Sequence, residues 1–240
     1  MRSIALPLLA FLPASLLIAC GPSEAELKSA QNLDRAVRQL NTVCDDFIQG
    51  ISNEGQLTRV DMSDYYSGYV ERIQTINQDL AGKTLVDDYR NLRARFDSVS
   101  RESNRLIQAR KEYISQVVDM ANVLEEFTEK VSRAEESEYN TFEYLSEAYV
   151  KEREFKKSEG EIDSLKSRLR SRGKAVEELV GRYNQSITEK ATQDSVRYCT
   201  EIDSLPDFVG ETQVLMETFT FDYGQYDSVM EEVRQNVGNQ

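Results

Sequence analysis

Histidine and tryptophan are absent from this 240-residue chain, and its four prolines and eleven glycines are few for the length. The missing histidine narrows the chemistry most. It removes the commonest general base, the commonest zinc ligand and every Ser-His or Cys-His nucleophile pair. P-loop, GxGxxG, CxxC and GxSxG motifs are missing too, so neither enzymatic activity nor a cofactor is expected. Positive charge is in short supply, with 29 Lys and Arg against 42 Asp and Glu and a formal net charge of −13. A mean field of that sign repels phosphate backbones, which excludes nucleic acid as an expected partner. Between Pro22 and Pro206 there is no proline at all, and that leaves room for very long helices.

What fills that room is a heptad pattern. Leu85, Tyr89, Leu92, Phe96, Val99, Ser103, Leu106, Arg110, Tyr113, Val117, Met120, Leu124, Phe127, Val131 and Ala134 follow one another in alternating steps of four and three. Only Ser103 and Arg110 interrupt the apolar character. The spacing predicts one central helix over about 84–134, roughly 75 Å long at the helical rise. Flanking positions are charged or polar near both ends (Asp88, Arg93, Arg95, Glu102, Lys130, Glu135) and turn apolar in the middle at Ile107, Ile114, Ala121 and Val123. A two-stranded seam wants charge at those places, whereas a wider apolar stripe faces several neighbours. The expected fold is therefore all-α: an elongated antiparallel helical bundle with coiled-coil character, rod-like at both ends of its central helix.

Other helices are legible around this spine. Ser23 makes an N-cap with Glu24 and Glu26 in the first turn, and Leu33, Val37, Leu40, Cys44, Phe47 and Ile51 form the stripe of a first helix. Residues 51–60 read as a loop. Met62, Tyr66, Tyr69, Ile73, Ile76 and Leu80 mark a second helix stopped at Ala81-Gly82-Lys83, and Thr84 with Asp87 resembles a capping box for the spine. The spine turns back either at Ala134–Asn140, with Asn140 and Glu143 capping the return, or at Ser158–Glu161. Phe142, Leu145 and Tyr149 keep helical spacing between the two. From Ile162 through Leu165, Leu169, Arg172, Val176, Leu179 and Tyr183 a narrower stripe runs to Ile187, with Gly173 and Gly181 as weak points, and it continues past Cys199 to Ile202, where Pro206 ends it. A last helix is expected over Tyr226–Val237.

The first residues carry the most specific motif. Arg2 precedes an apolar run from Ile4 to Ala19, broken by Pro7, Pro13 and Ser15 and too short for a membrane span. Leu17-Ile18-Ala19-Cys20 resembles the lipobox of bacterial lipoproteins. The resemblance implies a signal peptide at 1–19, cleavage before Cys20, a diacylglyceryl group on the Cys20 thiol and acylation of the new amino terminus. It covers only the leader. Several acyl chains together anchor stably where one is marginal. In Gram-negative relatives a residue other than Asp after the cysteine, here Gly21, implies the outer membrane, periplasmic face. Residues 20–23 would be the lipidated tether and 24–240 a single helical domain.

Secretion would place Cys44 and Cys199 in an oxidising compartment, where an even count of thiols suggests a disulfide; two separately buried thiols are the alternative. Tyr65, Tyr66 and Tyr69 are read as core and boundary packing in preference to a contact surface. Glu135, Glu136 and Glu138 lack the alternating oxygens and glycine of a calcium loop, so no metal site is expected. Arg110 and Ser103 within the spine set register, or else Arg110 lines the pocket of a ligand-sensing bundle. The expected function is a non-enzymatic, membrane-anchored interaction or scaffold module of the bacterial envelope. It would contact the membrane through Cys20 and an envelope protein through its helices, with self-association open.

Overall fold

A computed structural model describes residues 22–51, 59–136, 139–194 and 199–218, together with Ser228 and Glu231. Among the described residues there are five helices and no strand: α1 (Glu24–Ile51), α2 (Arg59–Ala81), α3 (Asp87–Glu136), α4 (Thr141–Asp194) and α5 (Ser204–Thr218). The chain is an all-α bundle built on two very long helices. The leader with Cys20, most of the 51–60 loop and nearly all of the expected last helix lie outside the described residues.

Helix α3 realises the spine. Every stripe position from Leu85 to Ala134 is buried, Ser103 and Arg110 included. The Ser103 hydroxyl needs no outside partner, because it donates back to the Val99 carbonyl of its own helix at 2.9 Å. Helix α4 returns antiparallel along the full length of α3. Polar struts fix the register from one end to the other: Lys190 to Asp88 at 2.9 Å, Arg172 to Glu102 at 2.6 Å, Gln116 to Glu161 at 3.0 Å, Lys151 to Glu126 at 2.8 Å and Lys130 to Glu147 at 2.5 Å. Most of these are exposed, so they steer pairing and add little stability.

The remaining helices surround only half of this hairpin. Helix α1 runs parallel to α3, with Ser29 beside Val86 and Phe47 beside Arg110. Helix α2 runs antiparallel and brings Ser63 to Lys111 at 2.9 Å; α5 brings Thr212 to Arg110 at 3.0 Å. Beyond those contacts α2 and α5 have only four and six residues left, about 6 and 9 Å of helix. The described chain is thus a five-helix head from which the α3–α4 pair projects alone. The apolar widening appears as buried Ile107 and Ile114, but Ala121 is exposed and Val123 only partly buried. Rod-like character therefore belongs to one end of the spine, and the expectation of two such ends is corrected: the start of α3 is inside the head.

Local signals fared unevenly. Ser23 and Glu26 form a full capping box: the Glu26 carboxylate accepts from the Ser23 backbone N–H at 2.7 Å, and the Ser23 hydroxyl accepts from the Glu26 N–H at 3.2 Å. The stop at Gly82 is confirmed by its N–H donating to the Gln78 carbonyl. The expected Thr84–Asp87 box is not used. Helix α3 begins two residues later on the Val86 carbonyl, because the Ser29 hydroxyl of α1 takes the Val86 N–H at 3.1 Å. The turn lies at the first of the two candidate sites, since α4 starts after Asn140 and runs unbroken through Ser158–Glu161. Pro206 starts a helix where it was expected to end one: it sits in the first turn of α5, where its missing N–H has no partner to lose. Gly173 is buried rather than merely weakening α4, and a Cβ there would come to 3.1 Å from Val209.

The Cys44–Cys199 disulfide is corrected too. Both thiols are free and buried. An unbroken α4 returns the chain to the base of the head, so the Cys199 Sγ lies 3.7 Å from the Ala30 carbonyl. Cys44 is fourteen residues further along α1, about 21 Å at the helical rise, and a disulfide needs Cα atoms roughly 4.4–6.8 Å apart.

Candidate functional site

Three places bear on function: the base where the chain enters, the centre of the head, and the far tip of the hairpin. At the base, Pro22 is the first described residue and Ser23 caps α1. Glu26 is held below the usual carboxylate range, first by the Ser23 backbone N–H, then by its hydroxyl, with Lys190 adding attraction. Lys190 in turn pairs with Asp88 at the start of α3. Entry of α1, beginning of α3 and end of α4 therefore coincide. Cys20 is two residues before Pro22 in the sequence.

The centre of the head is closed. Arg110 is 0% exposed; its guanidinium donates to the Thr212 hydroxyl at 3.0 Å and lies 5.8 Å from the ring centre of Phe47 and 6.0 Å from that of Phe208. Phe47 is the hub of an aromatic cluster, edge-on to Tyr66, Tyr69 and Phe208 with centroids at 5.4, 4.7 and 4.9 Å. Tyr65 and Tyr69 donate their hydroxyls to the Phe47 and Asp46 carbonyls. The three tyrosines thus pack as core and boundary. Open grooves do exist on the head, about 830 Å³ between α1 and α2 and about 720 Å³ between α1 and α5, but Arg110 lines neither. Enclosure of Arg110 weighs against a ligand pocket around it.

At the tip, Phe142, Leu145 and Tyr149 keep the helical spacing expected of them within α4, and Phe142 is 88% and Tyr149 60% exposed. The face that packs on α3 is instead Ala148, Phe155, Ile162, Leu165 and Leu169, offset by one residue, or about 100° around the helix. Tyr139, just before α4, is 92% exposed and Val150 54%. Four of the five large exposed apolar side chains among the described residues thus gather within twelve residues of one hairpin end. Arg153 lies over the Tyr149 ring at 5.4 Å. From Ala134 to Val150 the sequence carries five glutamates and no basic residue.

Among the described residues no three carboxylates or thiols converge as a metal site, and no helix is long and apolar enough to cross a membrane. Burial pushes both thiols up to about 12, aided at Cys44 by Asp45 and at Cys199 by Asp34, which leaves them poor nucleophiles. No family model matches this sequence, and no curated protein or solved structure is significantly similar to it.

Proposed function

We propose that this chain is a non-enzymatic lipoprotein of the bacterial envelope, tethered by acyl chains on Cys20, which uses its α3–α4 hairpin to hold a contact surface away from the membrane. One observation carries the reading: the residues that follow Cys20 enter at the base of the hairpin, and the exposed aromatic side chains lie at the opposite end. The 50 residues of α3 separate the two by about 75 Å. A tether of two or three residues contributes little reach, so the hairpin supplies it. The lipobox and Gly21 favour the periplasmic face of the outer membrane, with a protein of the envelope as partner.

Cell fractionation tests the anchor. The wild-type chain should sediment with membranes, its amino-terminal peptide carrying the mass of an acylated cysteine, and Cys20→Ala should move the protein to the soluble fraction. Unchanged membrane retention of Cys20→Ala overturns the reading.

A further inference from the structure

We propose that the hairpin tip is a docking element for a partner protein that offers an apolar cavity with a basic rim. The inference deepens the tethered-arm reading and rests on it for where the partner sits. Phe142 and Tyr149 are seven residues apart, so they share one face of α4 about 10 Å apart. Half-buried Leu145 lies between them and Tyr139 ahead of them. That face points away from α3, because the adjacent Ala148–Phe155 face is the one that packs. Aromatic side chains at the end of a narrow arm are the residue types that anchor interfaces by filling pockets.

Charge selects the occupant. Glu136 and Glu143 are exposed at this end of the hairpin, Glu147 is taken up by Lys130 and Arg153 by the Tyr149 ring, and the sequence from Ala134 to Val150 carries no basic residue. A second copy meeting tip to tip would set like charges against each other, and an anionic lipid surface would repel the same collar. Arginine or lysine around an apolar cavity complements both features at once.

The test uses the full-length chain in its own envelope with a photo-crosslinking benzoylphenylalanine at Phe142, and at Asp163, exposed on α4 near the exit from the head, for comparison. Illumination should give one discrete adduct with another protein from position 142 and none from 163. The attached partner peptide should hold apolar residues flanked by Lys or Arg. Adduct yield should fall about tenfold in Tyr139→Ser/Tyr149→Ser, which removes the remaining anchors, and also in Glu136→Lys/Glu143→Lys. An adduct of two copies of the chain, an adduct to lipid, equal labelling from 163, no adduct, or a yield indifferent to charge reversal each overturns the proposal. Purified protein with vesicles of phosphatidylethanolamine and phosphatidylglycerol checks the lipid outcome separately; tip-dependent binding there overturns it as well. An adduct retained in a chain that proves not to be acylated leaves docking standing and removes only the anchor. Acylation without an adduct does the reverse.

Discussion

Replacing Phe47 by Ala should be among the most damaging single changes to the head. Phe47 is 1% exposed. Its ring touches α2 through Tyr65, Tyr66 and Tyr69, touches α5 through Phe208, and lies under the Arg110 guanidinium of α3. Truncation of a buried Phe in a core costs about 3–5 kcal/mol, the transfer free energy plus the cavity that incomplete relaxation leaves. The upper half of that range applies here, because the surrounding rings come from three helices and cannot close together without moving them. Against a total stability of about 5–15 kcal/mol, some 4 kcal/mol is severe, and for a chain of this size it lowers Tm by roughly 8–16 °C.

Urea titration followed by far-ultraviolet circular dichroism, with near-ultraviolet tyrosine signal as a second probe, measures the loss. The midpoint should fall at nearly constant slope, since the same surface is exposed on unfolding. Phe47→Leu keeps most of the volume and should lose well under half as much. A Phe47→Ala loss below about 1.5 kcal/mol would refute the enclosed cluster, because values that small belong to sites that collapse or were never packed.

Two further outcomes follow from burial and charge. Cys44 and Cys199, both raised to about 12 by burial, should resist maleimide in the native protein at pH 8 and react fully in denaturant; non-reducing mobility should equal reducing mobility, and a faster non-reduced band would show the bridge that the geometry denies. Burial acts to raise the pKa of Asp34, but hydrogen bonds from Arg38, the Thr200 hydroxyl and the Thr200 N–H outweigh it and leave the carboxyl below its ordinary value. A depressed folded pKa gives stability that is present above the unfolded value, about 3.9, and lost as pH falls through the folded value. Acid titration of wild type should therefore show a stability loss below about pH 4 that is smaller in Asp34→Asn, and identical acid profiles would refute the assignment.

The fold was legible where one chemical pattern had one outlet. From Leu85 to Ala134 a single stripe faces one continuous partner surface, and every position of it is buried. Ser23 was readable as an N-cap because a cap is local and its bonds, here to Glu26, close within three residues. Thr84 was not, because the deciding bond joins Val86 to Ser29, 57 positions away in the sequence. Pro206 is ambiguous by nature: it cannot continue a helix beyond the first turn, yet it suits that turn well, so only the position of α5 decides. The disulfide failed through topology, since either candidate turn satisfied the local signals and the choice between them moved Cys199 along α1. At the tip the composition was legible and its meaning was not. Phe142, Leu145 and Tyr149 compete with Ala148, Phe155 and Ile162 for the same partner, and periodicity cannot rank two faces of one helix when both are apolar. The face with Ala148, Phe155 and Ile162 is the one that continues into Leu165 and Leu169, and the aromatic face is left outside.

Arg110 gains a physical role from its place in this arrangement. The hairpin leaves the head at about residues 110–111 of α3, and directional bonds collect there: Arg110 to Thr212 of α5, Arg110 over Phe47 of α1, and Lys111 to Ser63 of α2. The buried apolar stripe fixes the rotation of α3 but specifies its sliding along the axis less sharply, because successive ridges and grooves are alike. A guanidinium that bonds the Thr212 hydroxyl and lies against the Phe47 and Phe208 rings admits fewer positions, which is the specificity that a polar residue inside a stripe can provide. The polar interruption therefore stands where a directional bond resists sliding, at the foot of a shaft that extends about 38 Å past this level, whereas the Ser103 hydroxyl donates within its own helix.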